Sequence, residues 1–388
     1  MMSYGLSFSL ILTFSQRERA EGEGSPKVYQ RYLLHNASYL NPSLTNYGTT
    51  SIMTDKKLIK KLTETFSPSG SEGAIRDVIL NEIKGLADDI RVDAMGNLIA
   101  RKGEKTGQGK RIMVAAHMDE IGLIVTHVDE NGFVRFTNLG TPFARYLPGG
   151  HVRFTNGTLG IIDSEPPEGL HGIVKPEKMF IDVGAKSRKD CPVKIGDMAA
   201  FERPFVEIGD RLVAKSFDDR IGCVILIETM RRLKSSPHEL YFVFTVQEEV
   251  GTRGAATATF GIDPEIGLSV DIVPTGDTPK GWNTHTELGK GPAILIKDSG
   301  LIADPRIVAW MTGSAEKAKI PYQRNVQMRG GTDAMAMQRS RAGVMTGSIG
   351  VPTRYAHSPS EMIDINDVEN SIKLLMELVS KPIQLDAP

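Results

Sequence analysis

The sequence predicts an α/β fold in which helices sandwich a mostly parallel sheet, with a small all-β barrel inserted into the chain. The first observation is Arg111–His117, a continuous apolar run typical of a central parallel strand buried on both faces. The second is that similar runs alternate with helical patterns, which is the order that builds a layered α/β sandwich. The third is the interval 125–212, where short strand-like runs are punctuated by Gly and Pro without a helical pattern.

The chain divides into an extension and three further segments. Residues 1–52 predict an ill-ordered extension or an upstream-start artefact, because their apolar stretch Gly5–Phe14 is too short to span a bilayer and follows no basic residue. From Met53 onward the pattern becomes helical. We therefore expect a main domain in two parts with the barrel between them, at 53–124, 125–212 and 213–388.

The remaining elements follow in order along the chain. The expected partners of the first central strand are Leu240–Val246, Ile266–Val270 and Gly343–Ile349. A hairpin is expected around Ala94–Asn97. Helices are expected through Ile75, Ile79 and Ile83, at Ile221–Leu233, at Pro305–Ala318 with Asp304 as N-cap, and through Val368, Ile372, Leu375 and Val379.

Composition limits the classes of partner. The chain has 388 residues, of which 40% are apolar and 24% charged, enough for two domains and a large core. Lys plus Arg is 46 and Asp plus Glu is 47, so the net charge of −1 predicts neither nucleic acid nor a membrane surface as a partner. Cys191 and Cys223 are too few for a disulfide framework, which favours a reducing, cytoplasmic location.

Titratable side chains follow four strands of the predicted sheet. They are His117 and Asp119, then Glu248 and Glu249, then Asp271, and His357 one loop beyond the fourth strand. Asp218 and Asp219 open the helix at Ile221–Leu233. Because ligands of open α/β sheets gather at the carboxyl ends of strands, these residues are expected to converge on one cleft.

Each of these residues taken singly also has an ordinary structural explanation. A histidine after a strand is usually a surface or hydrogen-bonded residue, and acids in a first helical turn usually cap it. Adjacent glutamates at a strand end are usually solvated, and an aspartate there often forms a turn. The joint placement favours a pair of divalent ions, for which imidazoles with carboxylates suit zinc or cobalt better than magnesium or calcium.

The adjacent glutamates are expected to have different roles. Neighbouring side chains of an extended strand point to opposite faces, so Glu248 and Glu249 are unsuited to bind the same ion. Two ions ~3.5–4 Å apart activate a water, and the reaction also needs an acid that is not a ligand to take up its proton. One ligand and one base is therefore the simplest division, although the pattern does not say which is which.

Six segments carry a resemblance to a known family: Ala116–Gly122, Ser216–Gly222, Val246–Gly251, Val270–Asp271, Gly330–Asp333 and Arg354–Pro359. In this order, over about residues 55–380, the chain resembles the M42 family of metalloaminopeptidases, which includes tetrahedral aminopeptidases and proteins once described as endoglucanases. The resemblance implies a dinuclear metallopeptidase fold with two divalent ions, Zn or Co, and short peptide substrates. It also implies a barrel that supports dimer contacts and a homo-oligomer of dimers, a dodecamer.

The resemblance also implies a role for each residue. Asp218 would bridge the ions, with His117 and Asp271 completing one site and Glu249 and His357 the other. Glu248 would be the general base, and Asp119 would steady His117. The substrate cleft would be lined by Gly330, Gly331, Thr332 and Asp333, for which a strand-to-helix turn with Asp333 near the cap is the alternative.

The function expected on these grounds is removal of N-terminal residues from short peptides. One alternative is a related dinuclear amidohydrolase, such as an N-acyl amino acid deacylase. Another is a non-catalytic assembly scaffold, which a missing ligand would favour, but all five ligand positions are present. A glycosidase would need only paired acids and no histidine-rich site. The preferred N-terminal residue and the choice between zinc and cobalt stay open.

Overall fold

The structure is a computed structural model that describes residues 54–166, 174–383 and 385. The extension predicted at 1–52 therefore lies outside the described residues. Among the helices described, none is both long and apolar enough to cross a lipid bilayer.

The helices are α1 (Lys56–Glu64), α2 (Gly73–Ile83), α3 (Phe217–Arg232), α4 (Arg253–Ile262), α5 (Pro305–Ala318), α6 (Asp333–Gln338) and α7 (Ile365–Ser380). All five predicted helices are present: the one expected from Met53 onward is α1, and the others are α2, α3, α5 and α7. The Asp304 side chain caps α5 by accepting from the Arg306 N–H. Helix α4 was not predicted, because its sequence RGAATATFGI is mostly Ala, Gly and Thr and shows no clear apolar stripe.

The strands are β1 (Asp89–Val92), β2 (Leu98–Lys102), β3 (Arg111–His117), β4 (Gly122–Val128), β5 (Val134–Leu139), β6 (His151–Phe154), β7 (Leu159–Ser164), β8 (Met179–Asp182), β9 (Met198–Phe201), β10 (Val206–Ile208), β11 (Arg211–Ala214), β12 (Glu239–Thr245), β13 (Ile266–Pro274), β14 (Ala293–Lys297), β15 (Gln323–Val326), β16 (Met345–Thr353) and β17 (Glu361–Asp364). Short 3₁₀ turns lie at Ala144–Tyr146 and Pro176–Lys178.

Eight strands form the central sheet, in the order β1-β2-β12-β3-β13-β16-β14-β15. The four strands predicted from apolar runs, β12, β3, β13 and β16, lie side by side in its middle and are all parallel. The antiparallel pairs lie to either side, at β1-β2-β12 and at β14-β16. The predicted mixed α/β class with a mostly parallel sheet is therefore confirmed.

The register of the sheet brings two predicted site residues to the same level. Ser269 of β13 pairs with Ala115 of β3, so Asp271 and His117 each lie two residues further along neighbouring parallel strands. The prediction ended the third strand at Val270, but β13 continues to Pro274 because it stays paired with β16. Asp271 thus lies within a strand rather than in a turn after it.

Helix α3 is buried along most of its length, from Phe217 to Met230. It packs on β3 and β13 on one side and on α1, α2 and α7 on the others. A helix enclosed in this way is apolar around its circumference, as its sequence GCVILIETM already suggests. Its start, which carries Asp218, is therefore fixed against the sheet.

The predicted all-β insertion is a closed barrel of six antiparallel strands, β4-β5-β8-β7-β6-β9, with its own apolar core around Val134, Phe154 and Ile181. Its strands run from Gly122 to Phe201. Strands β10 and β11 pair with β17 in a separate three-stranded sheet. The domain boundaries at 125 and 212 remain predictions.

Candidate metal centre

Two groups of side chains offer ligand atoms close enough to hold a metal ion, and they share one residue. The first group is His117, Asp218 and Asp271; the second is Asp218, Glu249 and His357. Within each group the ligand atoms lie within 4.8 Å of one another. The structure thus brings together all five residues expected as ligands, which are spread over 241 positions of the chain from His117 to His357.

Asp218 lies between the two imidazoles and presents one oxygen to each. Its Oδ1 is 3.0 Å from Nε2 of His117, and its Oδ2 is 3.1 Å from Nε2 of His357. Burial alone would raise the pKa of Asp218, but the two histidines lower it well below its usual range. The carboxylate therefore carries its negative charge between the two groups.

Each histidine has its other ring nitrogen turned to a main-chain carbonyl. Nδ1 of His117 is 3.2 Å from the Asp119 oxygen, and Nδ1 of His357 is 3.0 Å from the Thr141 oxygen. With the proton on Nδ1, each ring donates to its carbonyl and directs the Nε2 lone pair into the site. This arrangement suits the tautomer that a metal ligand needs.

Asp119, which follows β3, forms hydrogen bonds to two other segments of the chain, the loop at Ser69 and the loop after β12. It is fully buried, and its carboxylate accepts from Ser69 Oγ at 2.6 Å. The same carboxylate accepts the N–H of Glu248 at 3.0 Å on Oδ1 and the N–H of Glu249 at 3.3 Å on Oδ2. Asp119 therefore positions the backbone of the glutamate pair as well as lying beside His117.

The two adjacent aspartates at the start of α3 have different roles: one faces the site and the other caps the helix. Both have non-helical backbone angles, and the peptide bond between them is cis. Asp219 accepts the N–H of Gly222 at 3.0 Å and that of His117 at 3.2 Å, so it is a helix cap. A side chain at Gly222 would come within 2.4 Å of the Asp219 carboxylate. The capping explanation thus holds for Asp219, and Asp218 is the residue that faces the histidines.

The adjacent glutamates face different histidines. Glu248 Oε2 is 3.9 Å from Nε2 of His117, and Glu249 Oε2 is 3.8 Å from Nε2 of His357. Burial raises the pKa of Glu248 well above its ordinary value. His117 lowers this pKa in part, whereas the neighbouring carboxylates of Asp271 and Asp333 raise it further. Burial also raises the pKa of Glu249 to about 7, against the opposing effect of His357.

Among the described residues, the carboxylates of the site have histidines but no lysine or arginine as ion-pair partners. Nearby, the buried Glu120 is balanced by Lys215 at 2.6 Å and Arg220 at 3.4 Å. In the described part of the chain, no Lys or Arg forms an ion pair with any of the four carboxylates Asp218, Glu248, Glu249 and Asp271. Oε1 of Glu249 is buried without a hydrogen-bond partner among the described residues. Buried charges are normally paired or bound to metal, so this donor set fits cations.

The segment predicted to line the substrate cleft is only partly exposed. Gly330 and Gly331 are exposed, whereas Thr332 and Asp333 are buried. Thr332 caps α6, and Asp333 accepts from Thr245 Oγ1 at 2.5 Å. The strand-to-helix turn with Asp333 near the cap therefore describes this segment, and its role as a cleft remains a prediction.

Three contacts around the site were not predicted from the sequence. Glu361 is buried, and its Oε2 accepts the N–H of Asp218 at 3.0 Å. Ser69 bonds Asp119, and Gly140 comes so close to Glu249 that a Cβ there would lie 2.9 Å from its Oε2. Glu361 carries the one usable signal, a further acid four residues after His357.

The family model described as M42 glutamyl aminopeptidase matches residues 96–374 of this chain. The chain belongs to the M42 peptidase family. The predicted family is therefore confirmed, and with it the expectation of an enzyme that hydrolyses peptide bonds.

Relatives of the M42 chain match it over nearly their full length. A lysyl aminopeptidase of Pyrococcus furiosus is 35% identical over 349 residues, which are 86% of this chain and 99% of the relative. The solved structure of aminopeptidase APDkam598 from Desulfurococcus kamchatkensis has a TM-score of 0.80 and 37% identity, covering 84% of this chain and 94% of its own.

A second similar structure is named for the way it assembles. The TET1 peptidase of Pyrococcus horikoshii, described as assembling into a tetrahedron or a large octahedral shell, matches with a TM-score of 0.75 and 35% identity. The match covers 84% of this chain and 99% of that chain.

Proposed function

We propose that this M42 chain is a dinuclear metal-dependent aminopeptidase that removes N-terminal residues from short peptides. The observation that carries the proposal is the shared position of Asp218, whose two oxygens face different histidines in two overlapping ligand groups. His117 and Asp271 would hold one ion, Glu249 and His357 the other, and Asp218 both. Imidazole and carboxylate donors suit zinc or cobalt.

When bound, two such ions polarise a scissile carbonyl and make a water nucleophilic near neutral pH. The residues of the chain supply the remaining requirements. Asp119 fixes the backbone of Glu248 and Glu249, and the carbonyls of Asp119 and Thr141 orient the two imidazoles. Ligands held by such outer contacts need little reorganisation.

Glu248 is the general base in this proposal. It belongs to neither ligand group, yet its Oε2 is 3.9 Å from Nε2 of His117. A proton taken from the attacking water would pass to Glu248 and from there to the departing amine. Carboxylates that have no lysine or arginine partner among the described residues also suit a protonated α-amine, which would explain why the enzyme acts at the N-terminus.

The relatives support related finer proposals. The family description names a glutamyl and the Pyrococcus furiosus relative a lysyl aminopeptidase, so the preferred N-terminal residue needs a substrate panel. The shell-forming TET1 peptidase supports a homo-oligomer, for which we propose dimers assembling into a dodecamer through the barrel. We propose a cytoplasmic location for it.

The proposed base is tested by Glu248→Gln, with the exposed Glu130→Gln as the matched control. Glu248→Gln is expected to keep two metal ions per chain by elemental analysis and to lose aminoacyl-p-nitroanilide turnover by about 10²–10⁴-fold. Wild-type turnover in Glu248→Gln would show that another residue is the base.

The reaction class is tested on metal-stripped protein reconstituted separately with Zn²⁺ and Co²⁺. The substrate panel contains aminoacyl-p-nitroanilides and N-acylated amino acids. Turnover of the acylated compounds alone would favour the deacylase. No turnover with either ion would favour the scaffold.

A further inference from the structure

An arginine lies on two aromatic rings beside the candidate metal centre. The guanidinium carbon of Arg145 is 4.6 Å from the centroid of the Tyr146 ring and 5.5 Å from that of Phe143. Nη2 of Arg145 donates to the Tyr146 hydroxyl at 2.7 Å. We call these three residues the aromatic shelf. Cation–π contacts hold the guanidinium in place while leaving its other donors free.

The aromatic shelf is attached to the loop that carries His357. The Phe143 N–H donates to the His357 carbonyl at 3.2 Å, and the Thr141 carbonyl faces Nδ1 of His357. The rings of Phe143 and His357 have centroids 6.1 Å apart. Phe143 therefore lies next to His357, and the aromatic shelf extends from this contact along the barrel segment that follows β5.

The charge of Arg145 is not neutralised within the described part of the chain. It is exposed and forms no ion pair there with a carboxylate. Two other arginines are paired: Arg153 of the barrel with Glu202 at 2.8 Å, and Arg354 of the His357 loop with Asp277 at 2.7 Å. A guanidinium held on one face with free donors is suited to bind a carboxylate through two hydrogen bonds.

The distances set the length of the molecule that could reach it. The two centroid distances place the Arg145 guanidinium carbon within about 12 Å of the His357 imidazole, and an extended peptide spans about 3.5 Å per residue. If the first peptide bond lies at the metal centre, the terminal carboxylate of a tripeptide or tetrapeptide lies about 7–10 Å away. That is within the range of the aromatic shelf.

We propose that the aromatic shelf binds the C-terminal carboxylate of tripeptides and tetrapeptides, and that Arg145 thereby selects short peptides with a free C-terminus. This inference rests on the proposed aminopeptidase function. Peptides of this length would engage the metal centre at one end and Arg145 at the other. A C-terminal amide or a p-nitroanilide offers no carboxylate, so it loses the second contact.

The test compares Leu-Gly-Gly with its C-terminal amide and with leucine p-nitroanilide, in the Zn²⁺-loaded or Co²⁺-loaded enzyme. Arg145→Ala is expected to raise KM for the free acid roughly tenfold and to leave the amide and the p-nitroanilide unchanged. Arg145→Lys is expected to keep part of the preference for the acid. Arg153→Ala removes one charge from the same barrel and is expected to leave the KM of all three substrates unchanged.

Three outcomes would overturn the role of Arg145: equal KM for acid and amide in the wild type, an equal loss on the p-nitroanilide in Arg145→Ala, or the same effect in Arg153→Ala. Absence of turnover on all substrates would instead reject the proposed function. For that case, calorimetric titration of Glu248→Gln with the acid and the amide gives a second readout. Equal affinities for the two would overturn carboxylate binding whatever the activity.

Discussion

Replacement of Ser69 by alanine tests whether Asp119 organises the site. Ser69 is 2% exposed and Asp119 is completely buried, so water does not take the place of the lost hydroxyl. The hydroxyl donates to Oδ2 of Asp119 at 2.6 Å, the shortest of the contacts that this carboxylate accepts. The variant keeps the carboxylate and its two backbone donors and removes only this bond.

The magnitude follows from the charge and burial of the acceptor. A hydrogen bond to a charged group contributes about 1.5–3 kcal/mol, and we expect the free energy of unfolding to fall by about 2 kcal/mol. At about 2 °C per kcal/mol for a large domain, Tm falls by about 4 °C. Because Asp119 also holds the Glu248 N–H, about 1.4 kcal/mol passed on to the transition state would lower kcat tenfold.

Thermal unfolding of metal-free protein measures the first effect, and p-nitroanilide turnover the second. Ser71→Ala is the control, because its hydroxyl makes no hydrogen bond within the described residues and it lies two residues away in the same loop. The control is expected within about 0.5 kcal/mol of the wild type. If Ser69→Ala unfolds at the same temperature as Ser71→Ala, the bond to Asp119 does not stabilise the site as we infer.

Two further predictions concern the residues that hold Asp218 and the His357 loop. Glu361→Ala removes the acceptor of the Asp218 N–H, so we expect the Zn²⁺ affinity measured by calorimetry to fall about 10–100-fold. Glu361→Gln keeps an acceptor oxygen and is expected to keep most of the affinity. An equal loss of affinity in both variants would exclude this role for Glu361. Arg354 donates twice to Asp277 and, against the effect of burial, lowers the pKa of Asp277 to about 2, below its ordinary value. The folded pKa is the lower one, so the stabilisation is present above about pH 4 and is lost as the pH falls toward 2. Asp277→Asn should therefore lower stability by about 1 kcal/mol at pH 7, because the pair is partly exposed, and a difference from the wild type that does not shrink in acid would contradict the assignment.

The middle of the central sheet was predictable because β12, β3, β13 and β16 are buried on both faces. Runs such as Arg111–His117 are continuously apolar and too short for a typical helix, which favours a buried strand. The four strands found in this way are neighbours in the sheet. Strand β15 was missed for the opposite reason. It lies at the edge of the sheet, and its sequence QRNV resembles a loop.

That the five candidate ligand residues lie close together was predictable from the sequence, but the contacts that hold them were not. The family resemblance and the positions of polar residues after the strands were enough to predict His117 and His357 as candidate ligands. By contrast, the contacts of Thr141 and Glu361 depend on folding: a main-chain oxygen carries no signal in the sequence, and Glu361 reaches Asp218 across 143 positions. These contacts form only when the barrel segment, α3 and β17 pack together in the folded chain.

The separation between Glu248 and Glu249 also has a different cause from the one the sequence suggests. Alternation along a strand predicts opposite faces, but β12 ends at Thr245, so neither glutamate lies in a regular strand. Their backbones are instead fixed by the two oxygens of one carboxylate, Asp119 Oδ1 for Glu248 and Oδ2 for Glu249. From that common support one side chain reaches toward His117 and the other toward His357. The different directions of the two glutamate side chains therefore depend on Asp119 rather than on the pleat of the strand. Because Ser69 donates to Asp119, Ser69→Ala is expected to disturb the positions of both Glu248 and Glu249.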